Sequence, residues 1–167
     1  MAHMTVGLPN KNKVFHVGLA VIPVALASLL GQLATTPNLA PWYADLAKPT
    51  FNPPNWIFAP VWTTLYILMA VAAWRILRLP EGTPGRRLGL ALFFLQLALN
   101  AAWSWMFFGA HSPLLGMINI IPQLGVIIAT AVVFRRLDKA AALCLVPLIA
   151  WVSFASALNF EILRLNG

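Results

Sequence analysis

The sequence predicts an all-α integral membrane protein, a bundle of five transmembrane helices, on three observations. Of its 167 residues, 60% are hydrophobic and 9% are charged, against roughly 25% charged residues in a soluble domain. The apolar residues gather in five runs, each close to the roughly 20 residues that cross the hydrocarbon of a bilayer. The cations are segregated: Lys11, Lys13, Arg75, Arg78, Arg86, Arg87, Arg135, Arg136 and Lys139 fall on the N-terminal side of a five-span topology, and Lys48 and Arg164 on the other. By the positive-inside rule this bias places the N-terminus in the cytoplasm. The net charge of +7 does not point to nucleic acid, because the basic residues form no stripe interleaved with aromatics. Membrane lipid is the expected surrounding.

Residues 1–13 read as an N-terminal tail, with MAHM a cloning remnant and Met4 the natural start. Residues 14–167 form a single transmembrane domain. The first span, Val14 to Leu33, is too long for the core of a signal peptide. Residues 34–54 hold Pro37, Pro41, Pro49, Pro53 and Pro54. Proline fixes φ and biases the residue before it away from helix, so this loop is expected to be stiff and mostly non-helical, with a short turn at Trp42 to Leu46. Such a loop can act as a lid. Trp42, Tyr43, Phe51 and Trp56 either anchor it at the membrane interface or fold it over the bundle's mouth.

The second span, Trp56 to Leu77, follows Pro53 and Pro54, which would begin the helix where a missing N–H costs least. Pro60, a turn later, allows an irregular first turn only where that turn packs against protein. Pro80, Gly82, Pro84 and Gly85 mark a turn before the third span, Leu88 to Phe108, and His111 to Pro113 mark another before the fourth, Leu114 to Phe134. The fifth span runs from Ala140 to Leu163 and contains Cys144, the single cysteine, which reads as a small buried hydrophobe. No internal repeat is visible, and five spans do not divide into equal inverted halves as a common transporter plan requires.

Three helical stripes stand out. Phe58, Trp62, Tyr66 and Met69 share a face of the second span; Gln96, Asn100, Trp103 and Phe107 share one on the third; Pro147, Trp151, Ala155 and Leu158 share one on the fifth. An amide inside the membrane is unfavourable without a partner, so Gln96 and Asn100 should face inward. They either bond a neighbouring helix or serve as polar handles in a pocket with large apolar walls. Trp62, Trp103 and Trp151 suit a flat conjugated or sterol-like guest, since indole faces bury large areas and stack. No metal site is expected: His3 lies in the presumed tag, His16 opens the first span and His111 sits in a turn. The acids Asp45, Glu81, Asp138 and Glu161 lie near span ends, and Glu161 with Arg164 reads as an interfacial ion pair.

The segments WYADLAKPTFNPPNWIFAPVWTTLY, QLALNAAWSWMFFG and LVPLIAWVSFASALNFEILRLN closely resemble the translocator protein family, also called tryptophan-rich sensory proteins or peripheral-type benzodiazepine receptors. The resemblance covers nearly the whole chain from the first span onward. It implies a receptor or sensor that binds porphyrin, notably protoporphyrin IX, as a ligand with no required cofactor, and in some members cholesterol. Its alternatives are a light-dependent porphyrin-degrading enzyme and a tetrapyrrole or sterol carrier. Trp62 and Trp151 match the pair linked in similar proteins to porphyrin photochemistry, and are the catalytic candidates if degradation occurs. Asn100, Trp103, Phe107, Ala155 and Leu158 match pocket positions, and Trp42, Phe58 and Tyr66 complete the expected ligand-binding set. The resemblance further implies a homodimer, for which Ala98 and Ala102 offer a small-residue patch, in a bacterial membrane, often the outer one, or in the mitochondrial outer membrane. Three positions depart from the family pattern: Phe160 stands where the sterol motif has tyrosine, Leu148 where many relatives have tyrosine, and Phe51 where they have tryptophan.

Overall fold

The computed structural model describes residues 11–167, with side chains from Val14 onward. The expected tag remnant and His3 lie outside the described residues, as do the side chains of Lys11 and Lys13. Five helices follow in order: α1 (Lys11–Thr35), α2 (Asn55–Leu77), α3 (Arg86–Ser104), α4 (Pro113–Leu137) and α5 (Lys139–Asn166). A helix long and apolar enough to cross a membrane lies at each of the five predicted spans, and the described residues contain no strand. α1 packs on α2 and α3, α2 on α5, α5 on α4, and α4 on α3. The principal contacts therefore run once around a closed ring.

One end of this ring is solid. Met69, Ala72, Ala73 and Ile76 of α2, Phe93 of α3, Ile127 and Phe134 of α4, and Leu145 and Leu148 of α5 are fully buried. Alternating chain direction brings them all to the same end. Small residues let the helices close in: a β-carbon at Gly89 would meet the Phe134 ring at 3.1 Å and Val133 at 3.2 Å. Because lipid tails are as apolar as leucine, such close van der Waals packing, rather than exclusion of water, holds the helices together here.

Charged groups fasten the same end. Asp138 joins α4 to α5, caps α5 by accepting from the Ala141 amide at 3.0 Å, and accepts from Arg75 Nε of α2 at 3.1 and 3.0 Å. A further contact from Arg75 Nη2 at 2.9 Å completes a bidentate pair. Arg86 is buried and donates to the Ile76 and Leu77 carbonyls at 3.3 and 3.0 Å, so the start of α3 caps the end of α2. The turn between them uses Gly85 at φ +85°, a left-handed value suited to glycine. At the opposite end of α5, Arg164 pairs with Glu161 at 2.8 Å, as their spacing predicts.

The structure corrects three local expectations. The segment after the first span is more helical than its prolines suggest. α1 continues to Thr35, a 3₁₀ turn covers Thr36–Asn38 and a wide π turn covers Leu39–Tyr43. Pro37 sits at the start of its turn, where no N–H is needed, and the kink is taken up at Ala40, which is extended (φ −140°, ψ 139°) ahead of Pro41. Only residues 46–54 are irregular. α2 is regular from Asn55 despite Pro60, with Pro54 as its cap, so the irregular first turn is absent. The stripe on α5 breaks at Pro147, which points outward while Leu148 beside it is buried. That stripe runs along the edge of the buried face, and at the solid end there is no hollow for the edge to face.

The Arg75–Asp138 contact has a definite pH signature. Burial works to raise the Asp138 carboxyl, but the Arg75 hydrogen bond, the Ala141 amide, the Arg75 charge and the Ala140 amide outweigh it and hold the group below its ordinary value. Its stabilising contribution is complete above the unfolded carboxylate value of about 3.9 and is lost as pH falls through the lower folded value. In detergent, the wild type should melt above Asp138→Asn at neutral pH, with the difference shrinking below about pH 4. A difference that stays constant into acid would show that the carboxylate does not clamp the ring.

Candidate ligand pocket

The other end of the ring is hollow. The early turns of α2 and α4 and the late turns of α1, α3 and α5 surround a cavity of about 490 Å³, within the range typical of small-molecule sites. Phe58, Trp62 and Tyr66 reach it from α2, Trp151, Ala155 and Leu158 from α5, and Asn100 and Trp103 from α3, with Phe107 on the wide turn that ends α3. These are nine of the ten sequence-predicted ligand-binding residues, and the structure brings them together on one wall system. Trp103 and Phe107 stack with centroids 5.0 Å apart at 19°, while Phe58 meets Trp151 edge-on at 5.8 Å. Two stripe members lie below the floor: Met69 and Gln96 are buried in the solid end, where Gln96 Nε2 donates to Met69 Sδ at 3.6 Å.

The tenth residue, Trp42, does not line the cavity. It packs edge-on against Phe107 and Phe108 and stacks on His111 with centroids 4.7 Å apart at 13°. His111 Nε2 also lies 2.6 Å from Asn38 Oδ1. Tyr43 and Leu39 face the cavity in its place. The segment is held at a second point, since Asn166 of α5 donates to the Ala47 carbonyl at 2.9 Å and accepts from the Ala47 amide at 3.0 Å. Between these ties, Tyr43 donates to Asn52 Oδ1 at 3.3 Å and Lys48 sits 4.6 Å over the Tyr43 ring. The post-α1 segment thus lies across the hollow end as a tethered cover.

Four polar residues in the walls are paired across helices. Tyr66 donates to Asn100 Oδ1 at 2.8 Å, linking α2 to α3. Trp103 Nε1 donates to Asn159 Oδ1 at 3.2 Å, and Asn159 Nδ2 donates to the Pro113 carbonyl at 2.8 Å, linking α3, α5 and the start of α4. Close approach there requires glycine: a β-carbon at Gly116 would lie 2.7 Å from Asn159 Oδ1 and 2.8 Å from Phe107. None of the cavity-lining residues is charged, so the site favours neutral, apolar surface.

Sequence reasoning placed no pocket residue on α1 or α4, yet Ser28, Gly31, Gln32 and Thr35 line the cavity from the first and Ile120 and Gln123 from the second. Asn159 on α5 also went unassigned. A signal was present: the reasoning that turned Gln96 and Asn100 inward applies equally to Asn119, Gln123 and Asn159, all buried amides inside spans.

A ring of membrane-crossing helices, solid at one end and holding an uncharged aromatic cavity under a tethered cover at the other, defines an integral membrane protein built around a largely apolar cavity. A profile of the TspO/MBR family matches residues 19–165. Among similar proteins, tryptophan-rich protein TspO of Chlorobaculum tepidum is 47% identical over 132 residues, 78% of this chain and 84% of that protein. Protein CrtK of Rhodobacter capsulatus is 42% identical over 125 residues, 75% of this chain and 78% of its own length. Translocator protein of Sus scrofa is 36% identical over 151 residues, 90% of this chain and 89% of that protein. The chain belongs to the TspO/MBR family.

The Tyr66–Asn100 bond predicts a measurable coupling. Tyr66→Phe strands the buried Asn100 oxygen and should lower the thermal midpoint, and Tyr66→Phe with Asn100→Ala should be less destabilising than the sum of the two. A double-mutant cycle in detergent should return a coupling of about 0.6 to 1.7 kcal/mol, the scale of hydrogen bonds between membrane helices. Strict additivity would mean that the bond contributes nothing.

Proposed function

We propose that the chain is a membrane receptor or sensor that takes a porphyrin-like tetrapyrrole into the cavity. The observation that carries this reading is the convergence of Trp62, Trp103 and Trp151, from three different helices, on one uncharged cavity. A flat conjugated ring gains area and stacking from such walls. A relative from Cereibacter sphaeroides, 38% identical over 125 residues, is named tryptophan-rich sensory protein, in keeping with a sensing role. With the N-terminus in the cytoplasm, as the cation bias favours, the hollow end lies on the opposite side of the membrane. A homodimer through the outer face of α3 is consistent with the exposure of Ala98 there.

A second reading, light-dependent porphyrin degradation, is favoured by one specific feature. Trp62 and Trp151 both line the cavity, so a photoexcited guest would have two oxidisable indoles at its surface. A sterol guest has weaker support, because Phe160, at the motif position expected to carry a hydroxyl, faces outward from α5.

One experiment separates these readings. Purified protein is titrated with protoporphyrin IX in the dark while tryptophan fluorescence is followed, and is then illuminated while the absorption spectrum is recorded. Saturable quenching with a stable spectrum is expected of the receptor. Spectral loss that slows in Trp62→Phe and Trp151→Phe would shift the assignment to the enzyme, and an absence of saturable quenching would reject both.

A further inference from the structure

We infer that Gln123 is a specificity-determining contact in this cavity, selecting guests that carry a neutral hydroxyl on the edge that enters first; the inference rests on the tetrapyrrole reading above. Gln123 is 2% exposed and lines the cavity, and its Oε1 has no hydrogen-bond partner among the described residues. It lies ten residues into α4, about 15 Å along the helix axis, and so near the middle of the hydrocarbon. An amide there is unfavourable unless something pairs with it. Two other buried amides share the unpaired oxygen, Gln96 and Asn119, but neither lines the cavity. Of the three, Gln123 alone borders the cavity; its Oε1 is itself fully covered, so a guest pairs with it once the side-chain amide turns toward the cavity.

The chemistry of the missing partner follows. An unpaired carbonyl oxygen needs a donor, and a hydroxyl can satisfy either edge of an amide because it both donates and accepts. On the same cavity, the Asn100 oxygen already accepts from Tyr66, and an incoming hydroxyl oxygen can accept from the Asn100 N–H groups. An ionised carboxylate does not fit, because no cationic side chain lines the cavity to compensate it. A porphyrin dicarboxylate would keep its acids at the mouth and present its opposite edge to Gln123.

Protoporphyrin IX and haematoporphyrin test this, since they share the ring and both propionates. They differ on the far edge, where haematoporphyrin has two hydroxyethyl groups in place of two vinyls. Both are titrated in the dark against the wild type, Gln123→Leu and the nearly isosteric Gln123→Met. The expected result is that the affinity for haematoporphyrin relative to protoporphyrin IX falls about tenfold in both variants, the scale of one hydrogen bond. The ligand-free variants should also melt higher than the wild type, because an unpaired buried amide has been removed. An unchanged ratio of the two affinities, with both porphyrins still binding, would overturn the assignment of Gln123 alone. A lower melting point in Gln123→Met would do the same, by revealing a structural partner, whether or not porphyrin binds. Failure of the wild type to bind either porphyrin would overturn the tetrapyrrole reading and this inference with it.

Discussion

Inside a bilayer no water is available to pair a peptide or an amide, so each polar group has to find its partner within the protein. The arrangement of this bundle follows from that demand. Helices satisfy their own backbone, and side chains take over where helices stop: Arg86 on the last carbonyls of α2, Ser112 on the first amides of α4, Asp138 on those of α5. Hydroxyls within the spans fold back on their own helix, as Thr130 does on the Val126 carbonyl and Ser156 on the Val152 carbonyl. Two amides join different helices, Asn100 by accepting from Tyr66 and Asn159 by accepting from Trp103. Against this background the oxygens of Gln96, Asn119 and Gln123 are exceptions, and of these three residues Gln123 alone borders the cavity.

The cover over the hollow end obeys the same rule by other means. It lies where α1 leaves the regular helix, and its ties are made by groups able to reach it from neighbouring turns: His111 beyond α3 and Asn166 at the end of α5. Trp42 contributes to this fastening rather than to the cavity wall, and the adjacent Tyr43 turns inward. Two neighbouring positions on one wide turn thus take the two roles.

Much of this was legible in the sequence. Long apolar runs fix the spans because the thickness of the hydrocarbon fixes their length. The stripes on α2 and α3 were readable because large aromatics repeat at helical spacing next to amides that lipid will not tolerate. What escaped has physical causes. The pocket face of α1 is made of Ser28, Gly31, Gln32 and Thr35, small or weakly polar residues that give no aromatic signal. Gln123 and Asn119, four residues apart on α4, mark an inward face by the rule that turned Gln96 and Asn100 inward, but no aromatic repeat beside them drew attention to it. The helical course of the cover was hidden because prolines 37 and 41 fall at the start of one turn and at a kink, positions where proline is compatible with a turn. Pro147 misled for the opposite reason, since periodicity assigns a shared face but not what that face meets along its length.

The division of the ring into a solid end and a hollow end separates two properties that many binding proteins combine. Residues that hold the helices together, such as Met69, Phe93, Phe134 and Leu145, contribute nothing to the cavity lining, and those that shape the cavity contribute little to the solid end. Mutational drift at lining residues outside the Tyr66–Asn100 and Trp103–Asn159 links can then reshape the cavity without jeopardising assembly of the scaffold. A lineage carrying this architecture is free to alter the shape of the cavity while its helices stay in place.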